Sequence, residues 1–172
     1  MVGVDANGKL HGGHTPLHFA SGSGQFEIAD FLISKGANIN EKNSYGNTPL
    51  HESVGCGNVK ILGLLISKGA IIDESNYCRE TPLLWASRSS KIEITEFLIK
   101  KGADINVKNI GGSYALSLAS KYSNVEMMKL LISYGADYSE LLELYEEKGD
   151  EKRREELEIV IIDVGMGKVK MM

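Results

Sequence analysis

Apolar and polar positions in this chain return in blocks of one fixed pattern. FLISKGANIN occupies 31–40, LLISKGAIID 64–73, FLIKKGADIN 97–106 and LLISYGADYS 130–139, each starting 33 residues after the one before. A second string keeps the same step: TPLHFAS from Thr15, TPLHESV from Thr48, TPLLWAS from Thr81 and YALSLAS from Tyr114. Two strings in one register mark an internal repeat, each copy a supersecondary unit stacked on the next.

Within a unit, TPL opens a short helix, because threonine is a good N-cap and proline at the first helical position gives up no needed N–H. The first helices are therefore expected near Pro16, Pro49 and Pro82. Leu17 with Ala20, Leu50 with Ser53 and Leu83 with Ala86 lie three apart on one face, which is expected to be core. After a turn at Gly24, Gly57, Ser90 or Ser123, a second helix runs through FEIADFLISK, VKILGLLISK, IEITEFLIKK and VEMMKLLISY. Its apolar residues spread beyond one narrow stripe, so it needs the neighbours on several sides that stacking supplies. Gly36, Gly69, Gly102 and Gly135 then stand where a left-handed C-cap costs glycine little. The polar, turn-rich stretches that follow, such as EKNSYGN and VKNIGGS, predict protruding hairpin tips in solvent.

The 33-residue step, Thr-Pro-Leu-His at 15–18 and 48–51, and Gly-Ala-Asp-Ile-Asn at 102–106 resemble the ankyrin repeat family over roughly residues 3–138. The resemblance implies an all-α repeat solenoid: stacked helix-turn-helix units with protruding β-hairpin fingers, whose concave face and fingertips bind partner proteins. It assigns the tetrapeptide histidines to backbone hydrogen bonds between neighbouring repeats and implies no catalysis. One domain over 1–172 is expected, with a partial N-terminal repeat at 1–12, repeats at about 13–45, 46–78, 79–111 and 112–138, and a helical cap at 139–172.

The departures from the pattern carry expectations of their own. Leu84 and Ser117 replace His18 and His51, and the fourth repeat has lost Thr and Pro. Arg79 stands where the other fingers carry Gly13, Gly46 and Gly112, so its turn is expected to be reshaped. Gly3-Val4-Asp5-Ala6-Asn7 aligns with Gly36–Asn40 as the tail of a repeat whose helices are absent, which reads as a cut from a longer array with an exposed N-terminal face bearing Phe19, Phe26 and Phe31. Ser139 with Leu141, Leu142, Leu144 and Tyr145 predicts a capped amphipathic helix ended or kinked by Gly149. Beyond it, a helix covering repeat four competes with a strand at Ile159–Val164.

Composition narrows the functions. A net charge of -4 and a pI near 5.6 give no general attraction to nucleic acid or anionic membranes. The longest apolar stretch, Leu157 to Val164, contains Glu158 and Asp163 and is too short for a membrane span. Cys56 and Cys78 are expected as free thiols in a reducing compartment, cytoplasmic or nuclear.

His11, His14 and His18 invite a metal reading, but no cysteine or carboxylate cluster completes a ligand set, so no metal is expected. GSG at 22–24 and GCG at 55–57 are inter-helix turns rather than phosphate loops, and no nucleophile has a recognisable base. No cofactor and no enzymatic activity are expected.

Binding positions instead follow from side-by-side projection, in the varied places of the ankyrin pattern: Lys9, His11 and His14; Lys42, Ser44, Tyr45 and Asn47; Ser75, Tyr77, Cys78 and Glu80; Lys108, Ile110 and Ser113. Tyr45 and Tyr77 are the expected anchors. Trp85 reads either as an interface residue or as inter-repeat packing, and Arg88 adds positive charge nearby. Resemblance also marks Asn106, with Leu98, as a candidate for asparaginyl hydroxylation, the alternative being local turn hydrogen bonding. The leading expectation is a protein-interaction scaffold with an unidentified protein partner, monomeric unless the first repeat dimerises. The alternative is a targeting or autoinhibitory arm of a larger enzyme.

Overall fold

The structure, a computed structural model, describes residues 5–170. Among the described residues ten α-helices follow one another: α1 (Pro16–Gly22), α2 (Phe26–Ser34), α3 (Pro49–Cys56), α4 (Val59–Ser67), α5 (Pro82–Arg88), α6 (Ile92–Lys100), α7 (Ala115–Lys121), α8 (Val125–Ser133), α9 (Ser139–Lys148) and α10 (Glu151–Lys170). The first eight form four antiparallel pairs, α1·α2 to α7·α8, and each pair packs on the next. The helix starts at Pro16, Pro49 and Pro82 are those the TPL strings predict. Gly36, Gly69, Gly102 and Gly135 take positive φ of 84°, 100°, 94° and 90° just past each second helix.

Stacking is visible in which positions lose solvent. Leu17, Leu50, Leu83 and Leu116 are all buried, as are Leu65, Leu98 and Leu131 one layer out. Each such leucine contributes roughly 1.5–3 kcal/mol of burial. Ile61, Ile94 and Met127 are covered by the pair before them, whereas Ile28 at the equivalent place in α2 is 48% exposed. Phe19, Phe26 and Phe31 are exposed on the same first repeat. Of the expected repeat tail, Gly3 and Val4 lie outside the described residues. Asn7 donates its Nδ2 to the Gly36 carbonyl and accepts the Asn38 N–H, as Asn40 does with Gly69 and Ile71.

Two histidines bind the pairs together along the backbone. In His18 and His51 the N–H and hydroxyl of Thr15 or Thr48 both donate to Nδ1, so Nε2 carries the proton and donates to the carbonyl of Asn47 (3.0 Å) or Glu80 (2.9 Å) in the next repeat. Leu84 cannot do this. It is buried among the residues of repeat four and the C-terminal helices, while Leu83 belongs to the core of repeats one to three.

The fingers differ from expectation in two respects. They contain no strand among the described residues: each is a tight turn closed by one backbone bond across its base, Leu10 N–H to His14 C=O, Asn43 to Asn47, Asn76 to Glu80 or Asn109 to Ser113, with a second bond inside the turn. The turn at Arg79 is not reshaped. Its φ is 56°, and its N–H reaches Asn76 C=O at 2.9 Å, as Gly46 reaches Asn43 and Gly112 reaches Asn109. The arginine therefore holds a left-handed conformation that suits glycine, and Arg79→Gly is expected to stabilise the chain by about 1 kcal/mol. A raised urea midpoint checks this; a lowered one contradicts it.

At the C-terminal end, α9 stops at Gly149 (φ 63°); its N-cap position is Tyr138 rather than Ser139, and its first N–H, from Ser139, is taken by the Asp137 carboxylate. The Ile159–Val164 segment is helical within α10, which lies on α8, burying Leu157 and Val160 and pairing Asp163 with Lys129 at 2.9 Å.

Candidate functional site

Fingers two, three and four are each held from inside by one asparagine, where the first finger has Leu10. Asn43 Oδ1 accepts the N–H groups of Tyr45 and Asn47, Asn76 those of Cys78 and Glu80, and Asn109 those of Gly111 and Ser113, all at 2.9–3.0 Å. Sequence reasoning passed over these three, although their 33-residue spacing within the polar tips was a usable signal. Neighbouring fingers are then joined backbone to backbone: Ser44 N–H to Gly12 C=O, Tyr77 to Tyr45 and Ile110 to Cys78. Close approach requires glycine at 46, where a Cβ would sit 2.7 Å from the Tyr77 nitrogen. The tips thus form one continuous platform.

On that platform the expected residues divide into two groups. Tyr45, Tyr77 and Ile110 are 66%, 67% and 73% exposed, and Ser44, Cys78, His11 and Lys9 are exposed as well. Tyr45, Tyr77, Cys78 and Trp85 meet around a cleft of about 330 Å³. Trp85 is half-buried: it packs edge-on against His51 (5.7 Å between ring centres) and also lines the cleft.

The expectation that Asn47 and Glu80 project into solvent is corrected, since both are buried. Asn47 Oδ1 accepts from Asn76 Nδ2. Glu80 is the organiser beneath the cleft: one carboxylate oxygen accepts the Trp85 indole N–H at 2.8 Å and the other takes Arg88 at 2.7 Å. Arg88 also stands 6.0 Å over the Trp85 ring, so its charge is spent locally.

The lysines are likewise engaged between repeats. Lys9 pairs with Glu41, Lys42 with Glu74 and the Ser75 carbonyl, and Lys108 with Glu140. The Lys9 pair holds the Glu41 carboxyl below its usual range. His14 is half-buried, hydrogen-bonded to Asn43 and stacked at 5.2 Å on Phe19. His18 has both ring nitrogens committed to Thr15 and Asn47, which leaves none for a metal. Ser113 is half-buried in finger four. Asn106 is exposed, with its side-chain oxygen accepting the Asp137 N–H.

Comparison with known proteins agrees with this architecture. A family model described as ankyrin repeats (3 copies) matches residues 1–76 and 71–141. Over 38 residues the chain is 50% identical to myotrophin of Xenopus tropicalis, a stretch that makes up 22% of this chain and 32% of that protein. The matched stretch is therefore about a third of the length of that relative. No described helix is long and apolar enough to cross a membrane.

Proposed function

The chain belongs to the ankyrin repeat family, and from that premise we propose that it is a protein-interaction scaffold that docks a partner protein on its finger platform. The observation that carries this reading is the pair Tyr45 and Tyr77, two-thirds exposed on backbones bonded directly to each other, with Trp85 at the floor between them. Large aromatic side chains presented on a rigid support lose little entropy on binding and supply the greatest contact area, which is why they dominate interfaces. Glu80 fixes the indole and Arg88 from below, so the cleft is preorganised before a partner arrives. This reading gives the chain no catalytic part.

A pull-down from the native cell tests it, with the wild-type chain beside Tyr45→Ala/Tyr77→Ala and a Glu93→Ala/Glu126→Ala control on the exposed second helices. The tyrosine variant is expected to lose at least tenfold of the captured partner, as removal of two interface anchors does, while the control retains it. Equal capture by the tyrosine variant places the interface elsewhere.

A further inference from the structure

Repeat four departs from the repeating motif where stacking alone offers no reason. Tyr114 stands at the place of Thr15, Thr48 and Thr81, and its ring is buried at the junction of finger four with α9. Its hydroxyl is also buried and has no hydrogen-bond partner in the protein. Such groups are rare in folded proteins because each forfeits its hydration without recompense. Ser21 and Thr95 share that condition inside packed helices, but Tyr114 lines a cavity.

That cavity, about 440 Å³, opens where a further repeat would pack and α9 and α10 run instead. Its volume is within the range of about 300–1,000 Å³ typical of small-molecule sites. Gly112 adds no wall, since a Cβ there would meet nothing within 4 Å, in contrast to Gly46 in its crowded finger. One side is apolar, formed by Tyr114, Leu141, Leu144 and Tyr145. The other carries Lys121 from α7, Lys148 from α9 and Arg153 from α10. Lys121 and Lys148 enter no ion pair among the described residues, and Arg153 uses one Nη on Asp150. The one carboxylate at the rim, Glu140, is taken up by Lys108. Three converging cations in a chain of net charge -4 are a local reversal of sign, set opposite a ring-sized apolar wall.

We propose that this cavity binds an aryl phosphate, its ring against Tyr114, Leu141 and Leu144 and its dianion between Lys121, Lys148 and Arg153. The ring-sized wall selects the body, and three cations match a phosphate dianion better than a single negative charge. The Tyr114 hydroxyl itself is closed off from solvent behind that wall, so the residue contributes its ring and not a hydrogen bond to the bound group. Burial and the nearby Glu140 and Asp137 charges push its pKa up to about 12, so it keeps its proton at any working pH. The site lies apart from the Tyr45–Tyr77 cleft and stands or falls independently of the docking function.

Titration of the full chain with phenyl phosphate, followed by two-dimensional NMR, tests the site. Saturable shifts confined to finger four, α7, α9 and the start of α10 are expected, with inorganic phosphate and benzyl alcohol each at least tenfold weaker. Lys121→Ala/Lys148→Ala, both exposed positions, is expected to weaken phenyl phosphate at least tenfold with an unchanged thermal midpoint. Tyr114→Phe, which keeps the ring and removes only the buried unpaired hydroxyl, is expected to bind phenyl phosphate as wild type does while the thermal midpoint holds or rises. The source of the ligand is separated by N-acetyl-phosphotyrosine amide: binding at least as tight as phenyl phosphate points to a protein-borne group, weaker binding to a free small molecule, and either upholds the site. Absence of saturable binding, equal affinity for inorganic phosphate, or undiminished binding by the lysine variant overturns it.

Discussion

His51→Ala is expected to destabilise the chain by about 3 kcal/mol. The imidazole is fully buried, takes the Thr48 N–H and hydroxyl on one nitrogen, and donates with the other to Glu80 C=O in the next repeat. Alanine leaves those backbone groups unpaired inside the protein and opens a void against the edge of Trp85. It also loosens the junction on which the Glu80–Trp85–Arg88 arrangement is built. His51→Leu separates the two contributions, because leucine refills most of the volume and restores no hydrogen bond. Leucine already occupies the equivalent position 84 without a bridge to the next repeat. The leucine variant should therefore fall between wild type and alanine in its urea midpoint. A midpoint for His51→Ala within 0.5 kcal/mol of wild type, taken as the ordinary scatter of neutral substitutions, would mean that the bridge does not join the repeats.

Stability is expected to fall steeply as pH drops below about 6.5, the unperturbed histidine value. Burial is the main cause that lowers the pKa of both His18 and His51, partly opposed by their bonds to the Asn47 and Glu80 carbonyls. A second proton on either ring would land on Nδ1, which is already accepting from threonine. The unfolded chain thus binds protons that the folded chain excludes. Stability from these two groups is complete above the unfolded pKa and is lost as pH falls from there towards the depressed folded values. Each ring contributes a slope of up to about 1.4 kcal/mol per pH unit within its own window. Urea midpoints at pH 7.5 and 5.5 measure the loss, and His51→Leu should flatten it. A midpoint that is level or rises on acidification contradicts the assignment.

The architecture was legible because it rests on residues whose local role repeats every 33 positions. Pro16, Pro49 and Pro82 start helices and Gly36, Gly69, Gly102 and Gly135 end them through backbone geometry, which a sequence pattern reports directly. Arg79 shows where such reasoning fails. Its local cost is real, but the Asn76 turn and the Ile110 to Cys78 bond on either side hold the finger in register against it.

The candidate surface was legible only in outline. Tyr45 and Tyr77 could be placed at the tips by register, but the roles of Glu80, Arg88 and Asn47 depend on partners that come together only in three dimensions. Exposure cannot be read from polarity in such a place: a carboxylate that reads as solvent-facing is buried once an indole N–H and a guanidinium satisfy it. The cationic cavity at the end of the stack was invisible for the same reason, its three cations coming from three separate helices.

The most direct measurement of the docking claim is a hydrogen-exchange footprint of the chain with the partner that the pull-down recovers. The account predicts new protection at residues 44–47, 77–80 and 82–88, which carry the tyrosines, the buried glutamate and Trp85, with α2, α4 and α6 unchanged. Protection on those second helices, with the fingers exchanging as in the free chain, would contradict it.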